Sequence, residues 1–176
     1  VNDDIRDVNF KNIADYALVN GVLEWIPETS EVVVDDYFKK SSSLKKEKKS
    51  NQILKKPREM QISFLKKVYE SLKKEGQLLL AIENKLHYGY LLGQPDPHVN
   101  LKFTTFLPRN LSNIISRVFR KKEYRTHIYS FSELKALLRE AGFSKIDDFC
   151  CFPMYHFPSL IVPNSKEGIR QYETYE

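Results

Sequence analysis

The stretch "PREMQISFLKKVYESLKKEGQLLLAIE", residues 57–83, limits the fold of this chain more than any other. Pro57 suits the first turn of a helix, where a missing N–H leaves no bond unmade. Phe64, Leu65, Val68, Tyr69 and Leu72 then recur at helical spacing on one face. Gly76 stands where a C-cap would stop that helix. The apolar run "QLLLAIE" follows at once, and a short apolar run directly after a capped helix reads as a buried parallel strand. An earlier run, "ADYALVN" at residues 14–20, reads as another buried strand. Strand, helix, strand predicts a βαβ unit with a right-handed crossover.

Asn20-Gly21 ends the first run, and Asn-Gly between apolar segments is ordinarily a hairpin signal. The residues beyond it, "VLEWIPE", do not alternate as a returning strand should. The pair therefore reads as the mouth of a parallel strand. Ligands of α/β sheets bind beyond the carboxyl ends of strands, and two such ends are visible, Asn20-Gly21 and Glu83-Asn84.

Residues 84–126 form a long excursion that opens with the loop composition "HYGYLLGQPDPH". "NLSNIISRVFRKK" then predicts an amphipathic helix. Leu111, Ile114, Ile115, Val118 and Phe119 share a face, while Arg117, Arg120, Lys121 and Lys122 gather at the end where the helix dipole favours cations. In "SFSELKALLREAGF", Ser130 and Glu133 make a capping box. Leu134, Leu137, Leu138 and Ala141 form the buried stripe, and Gly142 ends the helix. "SKIDDFCCF" and "HFPSLIVP" read as two final strands, with Pro158 inside the second marking an edge or a bulge. From Asn164 the tail is polar and reads as loose. The expected fold is α/β, with a mainly parallel sheet and a final antiparallel strand.

Charge is unevenly placed. Residues 39–56 hold eight Lys and one Glu, so the rest of the chain nets −2 against a total of +5. That segment reads first as a solvated loop. Nucleic-acid or anionic-surface binding are its other readings, and nucleic acid is the disfavoured partner. With 41% hydrophobic and 29% charged residues among 176, the composition is that of a globular protein. No apolar run reaches the roughly 18 residues of a membrane span, and the acidic start "VNDD" is no signal peptide. Cys150 and Cys151 are adjacent and give neither a metal set nor a disulfide framework. They read as thiols on opposite faces of one strand in a reducing cytoplasm.

The succession "DYALVNGVLEWIPE", "FLKKVYESLKKEGQLLLAIEN" and "YSFSELKALLREAGF" resembles the C-terminal two-thirds of a class I S-adenosylmethionine-dependent methyltransferase. In that family a strand beginning with Asp ends in small or polar residues, and a "Leu-Lys-x-x-Gly-Gly, strand" segment follows. Here that segment is "LKKEGQLLLAIE", with Gln77 for the second Gly. "DDIRDVNF" is similar to the family's Gly-Asp-Ala-x-x-Leu-Pro-Phe segment, with Asp3 for Gly. "AIENKLHYGYLLGQPDPH" and "YRTHIYSFSELKALL" resemble a bacterial subgroup associated with glycan and surface-polysaccharide methylation.

The resemblance implies S-adenosylmethionine as cofactor and a small-molecule or glycan acceptor. Asp4 would accept the adenine amino group and the Ile5 amide would meet the ring. Asn20 and Gly21 would approach the methionine part, with Val22, Leu23 and Trp25 beside the adenosine. Core packing is an equal reading for Trp25, and a solvated charge is the other reading for Asp4. The family's Gly-rich loop and ribose-binding carboxylate have no counterpart, since the first glycine of the chain is Gly21. The resemblance thus implies a partial Rossmann-like methyltransferase fold, residues 1–164, without its first three strands, followed by a tail, 165–176. Such a chain alone is expected to bind the cofactor weakly or not at all, needing its missing segment or a partner chain to complete the sheet.

Methyl transfer needs orientation and sometimes a base. Glu83, Asp96, His98 and His127 are the candidates, with His98 in "PDPH" preferred because imidazole titrates in the right range. A structural loop histidine is its other reading. Glu83, Asn84, Asp96, Tyr124 and Tyr129 are expected to line the acceptor side, with Tyr90 as a further positioning group. His87 and His156 read as structural. Two other functions stay open: a nucleic-acid module led by residues 39–56, and a non-catalytic, peripheral membrane protein using the helix at 110–122.

Overall fold

The computed structural model describes residues 9–27, 56–97, 100–121, 124 and 126–173. Asp4, Ile5, His98 and nearly all of the Lys-rich segment 39–56 lie outside the described residues.

Strand β1 (Ala14–Asn20) and strand β2 (Leu72–Ala81) pair in parallel, with helix α1 (Pro57–Ser71) between them in sequence. The strand, helix, strand order is therefore as expected. The boundary between α1 and β2 is not. The helix ends at Ser71, and Leu72 is already extended and buried. Gly76 is not a helix cap but lies within β2, where the pairing jumps from Ala14↔Leu72 to Tyr16↔Gln77. A Cβ on Gly76 would stand 2.9 Å from the Ala14 carbonyl oxygen and 3.0 Å from that of Lys73. Glycine is needed there for close backbone approach in an irregular stretch of the pair.

Beyond that irregularity, Ala17↔Leu78 and Val19↔Leu80 alternate with Tyr16↔Gln77 and Leu18↔Leu79. The first set faces the core with Ile62, Phe64, Leu65 and Val68 of α1. Leu137, Leu138 and Ala141 of helix α4 (Phe131–Ala141) join the same core. Tyr16, Leu18 and Leu79 are exposed on the opposite face, and β1 has no second strand neighbour among the described residues. α4 has its expected capping box, Ser130 with Glu133, and ends at Gly142 with φ 118°.

The excursion holds a single-turn helix α2 (Tyr88–Leu91) and the longer α3 (Arg109–Arg120). Strands β3 (Phe149–Phe152) and β4 (Leu160–Pro163) form their own antiparallel pair. They do not extend the parallel sheet, which corrects the expectation of one sheet with a final antiparallel strand. Pro158 precedes β4 instead of lying in it, and the proline that β4 does contain, Pro163, is its last residue. Cys150 and Cys151 are neighbours on β3 and half-buried. The polar tail, expected to be loose, instead carries a two-turn helix, α5 (Lys166–Glu173), packed against β4. Among the described residues no helix is long and apolar enough to cross a membrane.

Candidate functional site

The carboxyl ends of β1 and β2 lie together. Gly21 continues the pairing beyond β1 by donating its N–H to the Ala81 carbonyl at 2.9 Å. Its φ of 62° is left-handed, a conformation that favours glycine. The chain then turns through a short 3-10 segment, Leu23–Trp25, so Asn20-Gly21 is a strand mouth and not a hairpin tip. Leu23 is fully buried in the core, whereas Val22 and Trp25 are exposed beside the mouth, as is Asn20. The group that comes closest to Gly21 belongs to the chain itself. A Cβ there would meet the Tyr155 hydroxyl at 2.9 Å, and that hydroxyl donates to Glu24 Oε1 at 3.4 Å. Burial, and then the charges of Glu24 and Glu83, push the Tyr155 phenol up, so it stays protonated.

Two tyrosine–carboxylate pairs stand past the end of β2. The Tyr90 hydroxyl donates to Glu83, and the Tyr124 hydroxyl donates to Asp96. Both phenols are pushed far up, by burial first and by the paired carboxylates next, and each also feels the other pair's carboxylate. Glu83, Tyr90, Asp96 and Tyr124 thus form one acidic, hydroxyl-bearing group, of which Asp96 is 1% exposed. Arg109 ties the group to α3. Its guanidinium lies 4.6 Å over the Tyr124 ring and donates to the carbonyls of Tyr124 and Thr126.

Asn84 and Tyr129 meet as a parallel bridge, and Lys85 donates its N–H to the Tyr129 carbonyl at 3.0 Å. Asn84 Oδ1 also accepts from the Leu86 N–H at 2.8 Å, which makes it a turn former. His127 stacks on Tyr129 with ring centroids 4.8 Å apart. Burial, with Arg109, Lys85 and Arg58 behind it, lowers the His127 imidazole to about 4, so it is neutral at ordinary pH. Its Nδ1 and the Thr105 hydroxyl oxygen are buried without a hydrogen-bond partner among the described residues. Both residues line a cavity of about 60 Å³, room for a few water molecules. His87 caps α2 by accepting from the Gly89 N–H at 3.2 Å, a structural role as expected.

Expected site residues therefore fall into two neighbourhoods. Asn20, Gly21, Val22 and Trp25 sit at the mouth of β1, and Glu83, Asp96 and Tyr124 come together beyond β2. Tyr129 belongs to neither surface. It is 5% exposed, and its hydroxyl donates to Gln61 Oε1 at 2.5 Å. Gln61, Glu24, Tyr155 and Arg109 were not foreseen. Gln61 falls one turn before Leu65 on the buried face of α1, and a polar residue in an apolar stripe is a readable signal. Glu24, the one charge within "GVLEWIP", is a similar signal. Nothing local marks Tyr155, which arrives from a loop 131 residues away.

No family model, no curated protein and no solved structure matches this chain.

Proposed function

We propose that this chain carries part of a site for S-adenosylmethionine-dependent methyl transfer to a small-molecule or glycan acceptor. The observation that supports it most is the mouth of the parallel pair. Two strands end side by side at Asn20 and Ala81, with Val22 and Trp25 exposed next to them and polar groups just beyond. This is the strand-end position at which open α/β sheets take their ligands. The residues present fit the cofactor only in part. Gly21, Val22 and Trp25 could border the methionine and adenosine portions, but the Tyr155 hydroxyl already stands against Gly21, and the sequence holds no Gly-rich segment.

When bound, the cofactor supplies an electrophilic methyl group. The chain's own contribution is orientation on the acceptor side. Glu83 and Asp96 accept from Tyr90 and Tyr124, which fixes both phenols; the half-buried Glu83 carboxylate can also take an acceptor hydroxyl, whereas Asp96 is buried and holds Tyr124 in place. His98, two residues after Asp96, is the proposed base.

Trp25, the only tryptophan, is 40% exposed at the mouth and reports on it directly. Titration with S-adenosylhomocysteine is expected to give a weak, saturable change in its fluorescence, in the millimolar range. Gly21→Val is expected to abolish that change. A saturable change that Gly21→Val leaves untouched would overturn the assignment, and a micromolar dissociation constant would overturn the expectation of weak binding by this chain alone.

A further inference from the structure

Helix α3 carries its amphipathic pattern outward. Ser112 and Ser116 are each 1% exposed and face the molecule, whereas Val118 and Phe119 are 68% and 70% exposed, with Leu111 and Ile114 also open to solvent. The orientation is held at three places. Ser112 donates to the Thr104 carbonyl at 2.8 Å, Arg109 donates to the Tyr124 and Thr126 carbonyls, and Arg120 donates to the Asn100 carbonyl at 3.2 Å. Rolling the helix to bury its apolar stripe would break all three anchors. A stripe of this kind is ordinarily turned inward, because burial of apolar area is the main gain on folding.

Charge indicates what meets it. Arg117, Arg120 and Lys121 fill the last turn and cap of α3, and no acidic residue occurs between Arg109 and Lys121. A second copy packed on the same face would set these cations against their own kind. An apolar stripe whose helix carries cations and no acidic residue suits a phase that is apolar within and anionic at its surface. We propose that α3 docks the protein peripherally on an anionic lipid surface. Leu111, Ile114, Val118 and Phe119 enter the boundary between headgroups and acyl chains, while Arg117 and Lys121 meet lipid phosphates. The docking does not depend on methyl transfer.

Co-sedimentation with phosphatidylcholine vesicles, with and without phosphatidylserine, tests this. Binding is expected only to the phosphatidylserine vesicles and is expected to weaken as salt rises. The double substitution Val118→Ser/Phe119→Ser is expected to reduce it at least about tenfold. Both side chains face solvent, so circular dichroism of the variant should match the parent. Residues 39–56 can draw the chain to anionic vesicles by charge alone, so the four-fold variant Lys45→Ala/Lys46→Ala/Lys48→Ala/Lys49→Ala is measured beside it. Retained binding in that variant supports docking through α3. Three results would overturn it: no preference for anionic vesicles, binding untouched by Val118→Ser/Phe119→Ser, or a dimer in light scattering that the same substitution dissociates.

Discussion

Gln61→Leu is the sharpest probe of how the two neighbourhoods are joined. Gln61 is fully buried on α1. Its amide nitrogen donates to the Leu23 carbonyl at 2.8 Å and to the His127 carbonyl at 3.0 Å, and its oxygen accepts from the Tyr129 hydroxyl at 2.5 Å. One side chain thus links the turn after β1 to the segment that leads into α4. Leucine keeps the volume and leaves three polar groups without this partner. Each buried orphan costs about 1–3 kcal/mol. Three of them cost about 3–9 kcal/mol, and relaxation with the more apolar side chain gives back about 1–2 kcal/mol, so the net loss should be about 1–8 kcal/mol. That is a large share of the roughly 5–15 kcal/mol that holds a typical domain. Urea unfolding followed by circular dichroism, at an unchanged m-value, reads it directly. Gln61→Glu supplies a second arm. At neutral pH a carboxylate would face two carbonyls and should cost more than leucine. Below its pKa the added proton can restore one donor, so stability relative to leucine should improve as pH falls. A Gln61→Leu protein within roughly 0.5 kcal/mol of the parent would refute the claim that this residue ties the mouth together.

Two further outcomes follow from the geometry. His127, held at about 4, refuses a proton that the unfolded chain accepts near 6.5. Stability should therefore be full above about pH 6.5 and decline by about 3 kcal/mol in total as pH falls through about 4, with His127→Phe flattening that limb. Unfolding curves across this window, with imidazole shifts from NMR, check it. Gly76 gives a contrast between helix cap and strand: its Cβ position lies 2.9 Å from a backbone oxygen. Gly76→Asn should destabilise as much as Gly76→Ala, by about 1–3 kcal/mol, whereas a left-handed helix cap would tolerate asparagine; thermal melts distinguish the two.

What could be read without coordinates was local. The apolar spacing of α1, the capping box and Gly142 stop of α4, and the run that becomes β1 all depend on residues within a turn or two of each other. Asn20-Gly21 was readable as a strand mouth because the following residues lack strand alternation. The misreadings were long-range. Gly76 looks like a helix stop because helices so often end in glycine, and only the pairing of β2 with β1 assigns it to a strand. β3 and β4 look like additions to a growing sheet, yet they pair with each other, and among the described residues the parallel sheet has two strands. The carboxylates of Glu83 and Asp96 could be nominated as polar residues in an excursion, but not paired with Tyr90 and Tyr124.

Residue pattern was enough for the β-α-β start, where α1 begins, both ends of α4, the residues of β1, and the amphipathic pattern of α3, though not for α2 or α5. Periodicity and capping act between near neighbours, and their chemistry is printed in the chain. Tertiary structure alone decided which way each pattern faces. α3 has a clear apolar stripe, and nothing in its spacing says that Ser112 and Ser116, not Val118 and Phe119, turn inward. That choice rests on carbonyls of Asn100, Thr104, Tyr124 and Thr126, which the fold brings to the helix from both sides. Gln61 is the same lesson in the interior. Its position was readable as buried, but its three partners come from segments 38, 66 and 68 residues away, and only folding puts them within hydrogen-bonding distance.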